Sequence, residues 1–128
     1  MAQPQVDKGF EAASEARIAP PVEALRAVGR SHASLVLVGR DGRIELMNRA
    51  SLVALGFAPS DDLRGLAVVS LWTFPERLSA QSAIHRARRG ETVTVSLDLS
   101  PLGSDGMAEA SFSPCGDGLI LIRIGVPA

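Results

Sequence analysis

One stretch constrains the fold more than any other. Leu35-Val-Leu-Val38 is followed by Gly39-Arg-Asp-Gly42, then by Arg43-Ile-Glu-Leu-Met-Asn48. Apolar residues stand at Leu35, Leu37, Ile44, Leu46 and Met47. Asp-Gly between two apolar arms supplies the positive φ of a tight reversal, so the stretch predicts a β-hairpin. Asn48 breaks the second arm and precedes Arg49-Ala-Ser-Leu-Val-Ala-Leu55, which reads as a short helix stopped by Gly56. An Asn at a strand-to-helix junction can accept from backbone N–H groups and fix the turn. The chain therefore commits early to antiparallel pairing feeding a helix.

The 128 residues suit one domain, with 46% hydrophobic and 21% charged residues. Aromatics are only 4% with no Tyr, so aliphatic side chains must fill the core. A net charge of −1 gives no argument for nucleic acid or an anionic membrane as partner. A single Cys excludes an internal disulfide and a cysteine-rich zinc site, in keeping with a reducing cytoplasm. The polar N-terminus is not a signal peptide. No apolar run approaches the roughly 20 residues of a membrane span.

Val6 to Ala19 reads as a weak helix, interrupted by Pro20-Pro21. A second helix is expected from Val22 to about Arg30, with Val22, Leu25 and Val28 as its apolar stripe. Pro59-Ser-Asp-Asp62 predicts a turn of helix. Leu66 to Leu71 is an apolar run, a short helix or a buried loop. Glu76 to Arg89 is the strongest helix, with Leu78, Ala80, Ala83, Ile84 and Ala87 assigned to one face and Gly90 as its stop. Glu91 to Leu99 alternates, with Val93, Val95, Leu97 and Leu99 on one side. Met107 to Ser113 is a weaker strand, Gly116-Asp-Gly118 a turn, and Leu119 to Ile124 a central strand, apolar except for Arg123. Strands flanking a helical block imply an α+β fold, an antiparallel sheet with helices on one face. Such a layer leaves a hollow where small ligands can sit.

Residues 33–125 resemble a PAS domain, the sensory and dimerisation module of bacterial signalling proteins. The resemblance is carried by Asp41-Gly42-Arg43-Ile44, Asn48, Leu55-Gly56-Phe57 and Asp61-Asp62-Leu63-Arg64-Gly65, then by Leu71-Trp72 before Pro75-Glu76, Gly90-Glu91 and the closing pair of strands. It implies a five-stranded antiparallel sheet with a helical block on one face. Residues 1–32 would be an N-terminal helical cap and dimerisation segment, and 126–128 a tail. Many relatives end in an Asp-Ile-Thr-like junction to an output helix. Here Gly125-Val-Pro-Ala128 follows the last strand instead, so a fragment of a larger kinase, cyclase or phosphodiesterase and a stand-alone protein both fit.

The resemblance also frames the cofactors. A photoactive flavin module needs a Cys in the stretch equivalent to Leu66–Trp72, which has none, and Cys115 lies in the last turn. Haem would need a proximal His near Ala80, whereas His85 lies further along the helix. No resident cofactor is expected, with non-covalent flavin or a small apolar metabolite left open and haem disfavoured. The residues assigned to the pocket are Leu46, Asn48, Leu52, Trp72, Ile84, Leu97, Phe112 and Leu121. Val22, Leu25, Val28 and Arg123 are assigned to a dimer contact. Arg86, Arg88 and Arg89 read as charge complementing a helix C-terminus. No catalytic or metal-ligating constellation is present. The function expected is a non-enzymatic module for homodimerisation and contact with other signalling proteins. The alternative is a small-molecule sensor controlling a kinase or cyclic-dinucleotide effector.

Overall fold

The structure is a computed structural model that describes residues 22–102 and 106–125. The helix expected over Val6–Ala19 and the tail 126–128 lie outside the described residues. Three helices are described: α1 (Val22–Arg30), α2 (Arg49–Ala54) and α3 (Arg77–Arg88). Five strands accompany them: β1 (Leu35–Val38), β2 (Ile44–Met47), β3 (Val93–Asp98), β4 (Met107–Pro114) and β5 (Ile120–Gly125). The strands form one antiparallel sheet in the order β2-β1-β5-β4-β3, with β5 at its centre. Short 3₁₀ turns at Val68–Leu71 and Phe74–Glu76 lead into α3.

The expected hairpin forms. Gly39 N–H donates to Arg43 O at 2.9 Å, Gly42 N–H to Gly39 O at 3.0 Å, and Gly42 takes φ +79°. The register then slips: Leu37 faces Leu46 but Val38 faces Ile44, so Glu45 is the extra residue of a bulge. That bulge reverses parity within β2. Ile44 and Met47 enter the main core, while Leu46 between them turns to the other face. The far side of β2 is covered by the segment after α2. Ile44 N–H donates to Leu66 O at 2.8 Å, and Gly65 N–H to Ile44 O at 2.8 Å. This pairing closes one sheet edge to strangers.

The α2 helix ends as the sequence predicts. Gly56 takes φ +92°, Gly56 N–H donates to Val53 O at 3.1 Å, and Phe57 N–H to Leu52 O at 2.8 Å. These two bonds make a Schellman closure, which satisfies carbonyls that the helix end leaves bare. The turn of helix expected at 59–62 does not form. Asp61 N–H donates to Ala58 O at 3.0 Å, and the Asp61 carboxylate accepts from Ala58 N–H at 2.9 Å, which makes a turn instead of a cap.

On α3, Ala80, Ala83, Ile84 and Ala87 are buried, but Leu78 is 74% exposed. At about 100° per residue Leu78 lies nearly opposite Ala80, so it cannot share that face. The main core lies between the sheet and α2, α3 and the 3₁₀ turns. A second, smaller cluster lies on the other face of the sheet. There Val28, Leu37 and Leu119 are buried, with Ala24, Leu25, Leu35, Leu46 and Leu121 against them. Thus α1 docks on the sheet of its own chain.

Candidate functional site

Five of the residues assigned to the pocket come together. Leu52, Trp72, Ile84, Leu97 and Phe112 all belong to the main core. Trp72 and Phe112 hold their ring centroids 5.7 Å apart at a tilt of 38°. The Trp72 indole Nε1–H donates to Ser96 O at 2.9 Å, so the one polar atom of this large buried side chain is satisfied from β3. The space between helices and sheet is thus occupied by the protein's own rings and aliphatic chains.

Leu46 and Leu121 correct the assignment. They face each other across Leu37, since Leu37 pairs with Leu46 on β2 and Leu121 on β5, and all three lie in the outer cluster under α1. For Leu46 the cause is the bulge at Glu45. For Leu121 it is that β5 is apolar on both faces, so periodicity alone could not choose its side.

Asn48 does not reach the hollow either. It is 3% exposed at the junction of three elements. Its Oδ1 accepts from Ser51 N–H at 2.9 Å, which caps α2, and from Leu35 N–H at 3.1 Å at the start of β1. Its Nδ2 donates to Val28 O at 3.0 Å, Ser31 O at 3.2 Å and Ala33 O at 2.7 Å. Ser51, which sequence reasoning did not single out, is fully buried beside it and donates from Oγ to Asn48 O at 2.7 Å. These two are the buried polar residues among those described.

That donor set is a test of cofactor fit. An isoalloxazine ring needs polar side chains aimed at its heteroatoms, and Asn48 and Ser51 are spent on backbone groups. Asn48 and Ser51 therefore offer a flavin no free polar group. Trp72 and Phe112 pack together in the main core. His85 is exposed and lines a cleft with Arg40 and Arg88 outside the core, which does not fit a haem ligand. Cys115 is exposed. No group of three His, Cys, Asp or Glu residues comes together among the described residues.

The dimer-contact residues separate. Val28 is buried and Leu25 half-buried in the outer cluster, while Val22 is 55% exposed. Steps of three residues drift by about 60° each, so Val22 points about 120° away from Val28. Arg123 is exposed on the outer face of β5, level with Leu35 on one side and Ser111 on the other. Beyond it the outer face is polar, with Thr94 and Ser111 hydroxyls 3.1 Å apart.

Some of the charged groups form ion pairs. Arg86 and Arg89 reach Glu91 at 2.9 and 3.4 Å, and the hydrogen bond from Arg86 is the main cause that lowers the Glu91 pKa. Arg88 donates to Arg40 O. Arg64 grips Asp62 through Nε and Nη2 at 2.8 and 2.7 Å and also donates its backbone N–H, holding the Asp62 carboxyl down at about 2. No described helix is long and apolar enough to cross a membrane.

No family model and no curated protein matches the sequence. Solved structures do. A domain of a sensory box sensor histidine kinase/response regulator from Geobacter sulfurreducens aligns at 21% identity over 81% of this chain and 92% of its own, with TM-score 0.64. The PAS domain of a Colwellia psychrerythraea protein aligns at 18% identity over 81% and 94%, with TM-score 0.61. The Rhodobacter sphaeroides LOV protein aligns at 22% identity over 80% of this chain and 64% of its own, with TM-score 0.59. The strand order, the helical cover on one face and these neighbours agree, and the chain has the fold of a PAS domain.

Proposed function

We propose that this chain is a signalling module that pairs with itself and with other signalling proteins in a bacterial regulatory pathway, without catalytic activity of its own, in the cytoplasm. One observation carries the reading. Trp72 and Phe112 pack against each other in the buried core, which supports placing the function at the surface. The self-contact proposed is the outer sheet face around α1, with Val22 and Arg123 exposed at its margin and Leu25 and Val28 anchoring the helix. Sedimentation velocity over a concentration series tests it. A dimer that weakens in Arg123→Glu and in Leu25→Asp supports the reading. A wild-type chain that stays monomeric at every concentration sinks it. Arg123→Glu is the cleaner variant, because Leu25 also packs within the chain.

A second reading is a sensor for a small apolar metabolite that controls a kinase or cyclic-dinucleotide effector. The aliphatic surround of Trp72, with Leu52, Ile84 and Leu97, supports it, as does the likeness to a LOV protein. A rotation of Trp72 would have to open the space. Native mass spectrometry of freshly purified protein decides between the two, since a reproducible added mass of a few hundred daltons favours the sensor.

A further inference from the structure

We propose that the cleft between α1 and α2 docks an acidic segment of a partner protein, one that carries an apolar anchor residue. The cleft measures about 540 Å³ and is walled by Arg30 and His32 on one side and by Arg49 on the other. Its floor is Ala50, Val53 and Ala54, and Val53 stands 55% exposed there.

Charge is the first argument. Four described arginines have a carboxylate partner, Arg43 with Asp41, Arg64 with Asp62, and Arg86 and Arg89 with Glu91, while Arg26, Arg40, Arg77, Arg88 and Arg123 stand apart from this cleft without one among the described residues. Arg30, His32 and Arg49 have no carboxylate partner among the described residues, although all three face one cleft. The α2 helix also has no acidic residue in its first turn to offset Arg49. Two arginines without a carboxylate partner among the described residues thus share one apolar-floored place. Their field steers and orients an acidic partner.

The shape argues for a protein segment. The walls are exposed side chains, whereas a small-molecule site encloses most of its ligand. Nucleic acid would be expected to stack on aromatic side chains, and none lines the cleft. The cleft also spans the joint that Asn48 holds, since its amide grips Val28, Ser31 and Ala33 on one wall and caps α2 on the other. An occupant therefore bridges the two elements that set the position of α1. The inference rests on the protein-interaction reading above and names the surface and the chemistry of one partner.

The test is an amide chemical-shift titration of the full chain with a short synthetic peptide of glutamates around one leucine. The expected result is shifts confined to residues 30–33 and 49–54. Affinity should fall about tenfold in Arg30→Glu/Arg49→Glu, and also with added salt and when the leucine of the peptide becomes serine. Arg30→Gln/Arg49→Gln, which removes charge without reversing it, should show a smaller loss in the same direction. Any of three results overturns the proposal: no shift up to millimolar peptide, shifts centred on Arg40 and Arg88, or unchanged affinity in the reversed variant. A uridine oligonucleotide that binds the cleft more tightly than the peptide also overturns it, in favour of RNA. Sedimentation of the same samples separates the two readings. A wild-type dimer indifferent to the peptide removes only this inference, and a monomer that docks the peptide at the cleft removes only self-pairing.

Discussion

The amide of Asn48 donates to the carbonyl of Val28 across 3.0 Å, while the oxygen of the same amide caps the following helix at Ser51 N–H. One side chain thus closes the C-terminal end of α1 and the N-terminal end of α2. The arrangement uses both halves of the amide: a Ser or Thr hydroxyl has one proton to donate and an Asp carboxylate has none, so neither replaces the two protons of the amide.

Asn48→Ala should cost about 2 to 4 kcal/mol, because it removes a helix cap and strands buried backbone groups around Val28, Ala33 and Leu35. Asn48→Asp retains the acceptor but turns the donor into an oxygen facing three carbonyls. It should keep α2 capped and loosen α1. Urea unfolding measures the first effect. Amide hydrogen exchange of residues 22–30 against 49–54 measures the second, and equal protection of α1 in both proteins would refute the joint role.

Gly56→Ala should destabilise by about 1 to 2 kcal/mol, since φ +92° is left-handed backbone that an L side chain resists. Thermal unfolding read by circular dichroism is sufficient. An unchanged midpoint would mean that the Schellman closure of α2 is dispensable.

Phe112→Ala should cost about 3 to 5 kcal/mol through the cavity it opens against Trp72. Leu78→Ala should stay within about 0.5 kcal/mol, because Leu78 is 74% exposed. The pair separates a core side chain from an apolar residue that merely sits on the same helix as the core. Comparable losses in chemical denaturation would show that Leu78 makes a stabilising contact despite its exposure.

Asp62 should titrate near 2 by carboxyl chemical shift, and Arg64→Ala should bring it back toward 3.8. The folded pKa lies below the unfolded one, so the pair contributes stability that is present above pH 3.8 and lost as the pH falls through about 2. Both groups are exposed, so added salt should shrink the shift. A carboxyl that titrates at its ordinary value in low salt would show that the pair does not persist in solution.

The parts legible in sequence are those whose causes are local. Asp41-Gly42 predicts the reversal, Asn48 the cap, Gly56 the helix stop, and the alternation Val93 to Leu99 a strand with one buried face. Each depends on residues a few positions apart. The misplaced residues depend on something else. Leu46 reads to the wrong face because a bulge at Glu45 leaves no mark in a run of apolar residues. Leu78 reads as buried by its apolarity alone, against the angle at which it leaves the helix. The groove that gathers Arg30, His32 and Arg49 had no signal, since those residues lie up to nineteen positions apart in sequence and are ordinary singly.

The sequence by itself determined the order of the strands and main helices and the antiparallel class, because hydrophobic periodicity and turn chemistry act within a few residues. Tertiary structure decided which face each apolar residue serves. A sheet covered on both sides, by α1 at one face and by α2 and α3 at the other, makes both parities of a strand apolar, and only the register across Leu46, Leu37 and Leu121 says which is which. It also decided the second half of the role of Asn48, because a donor finds its carbonyls only after α1 has docked.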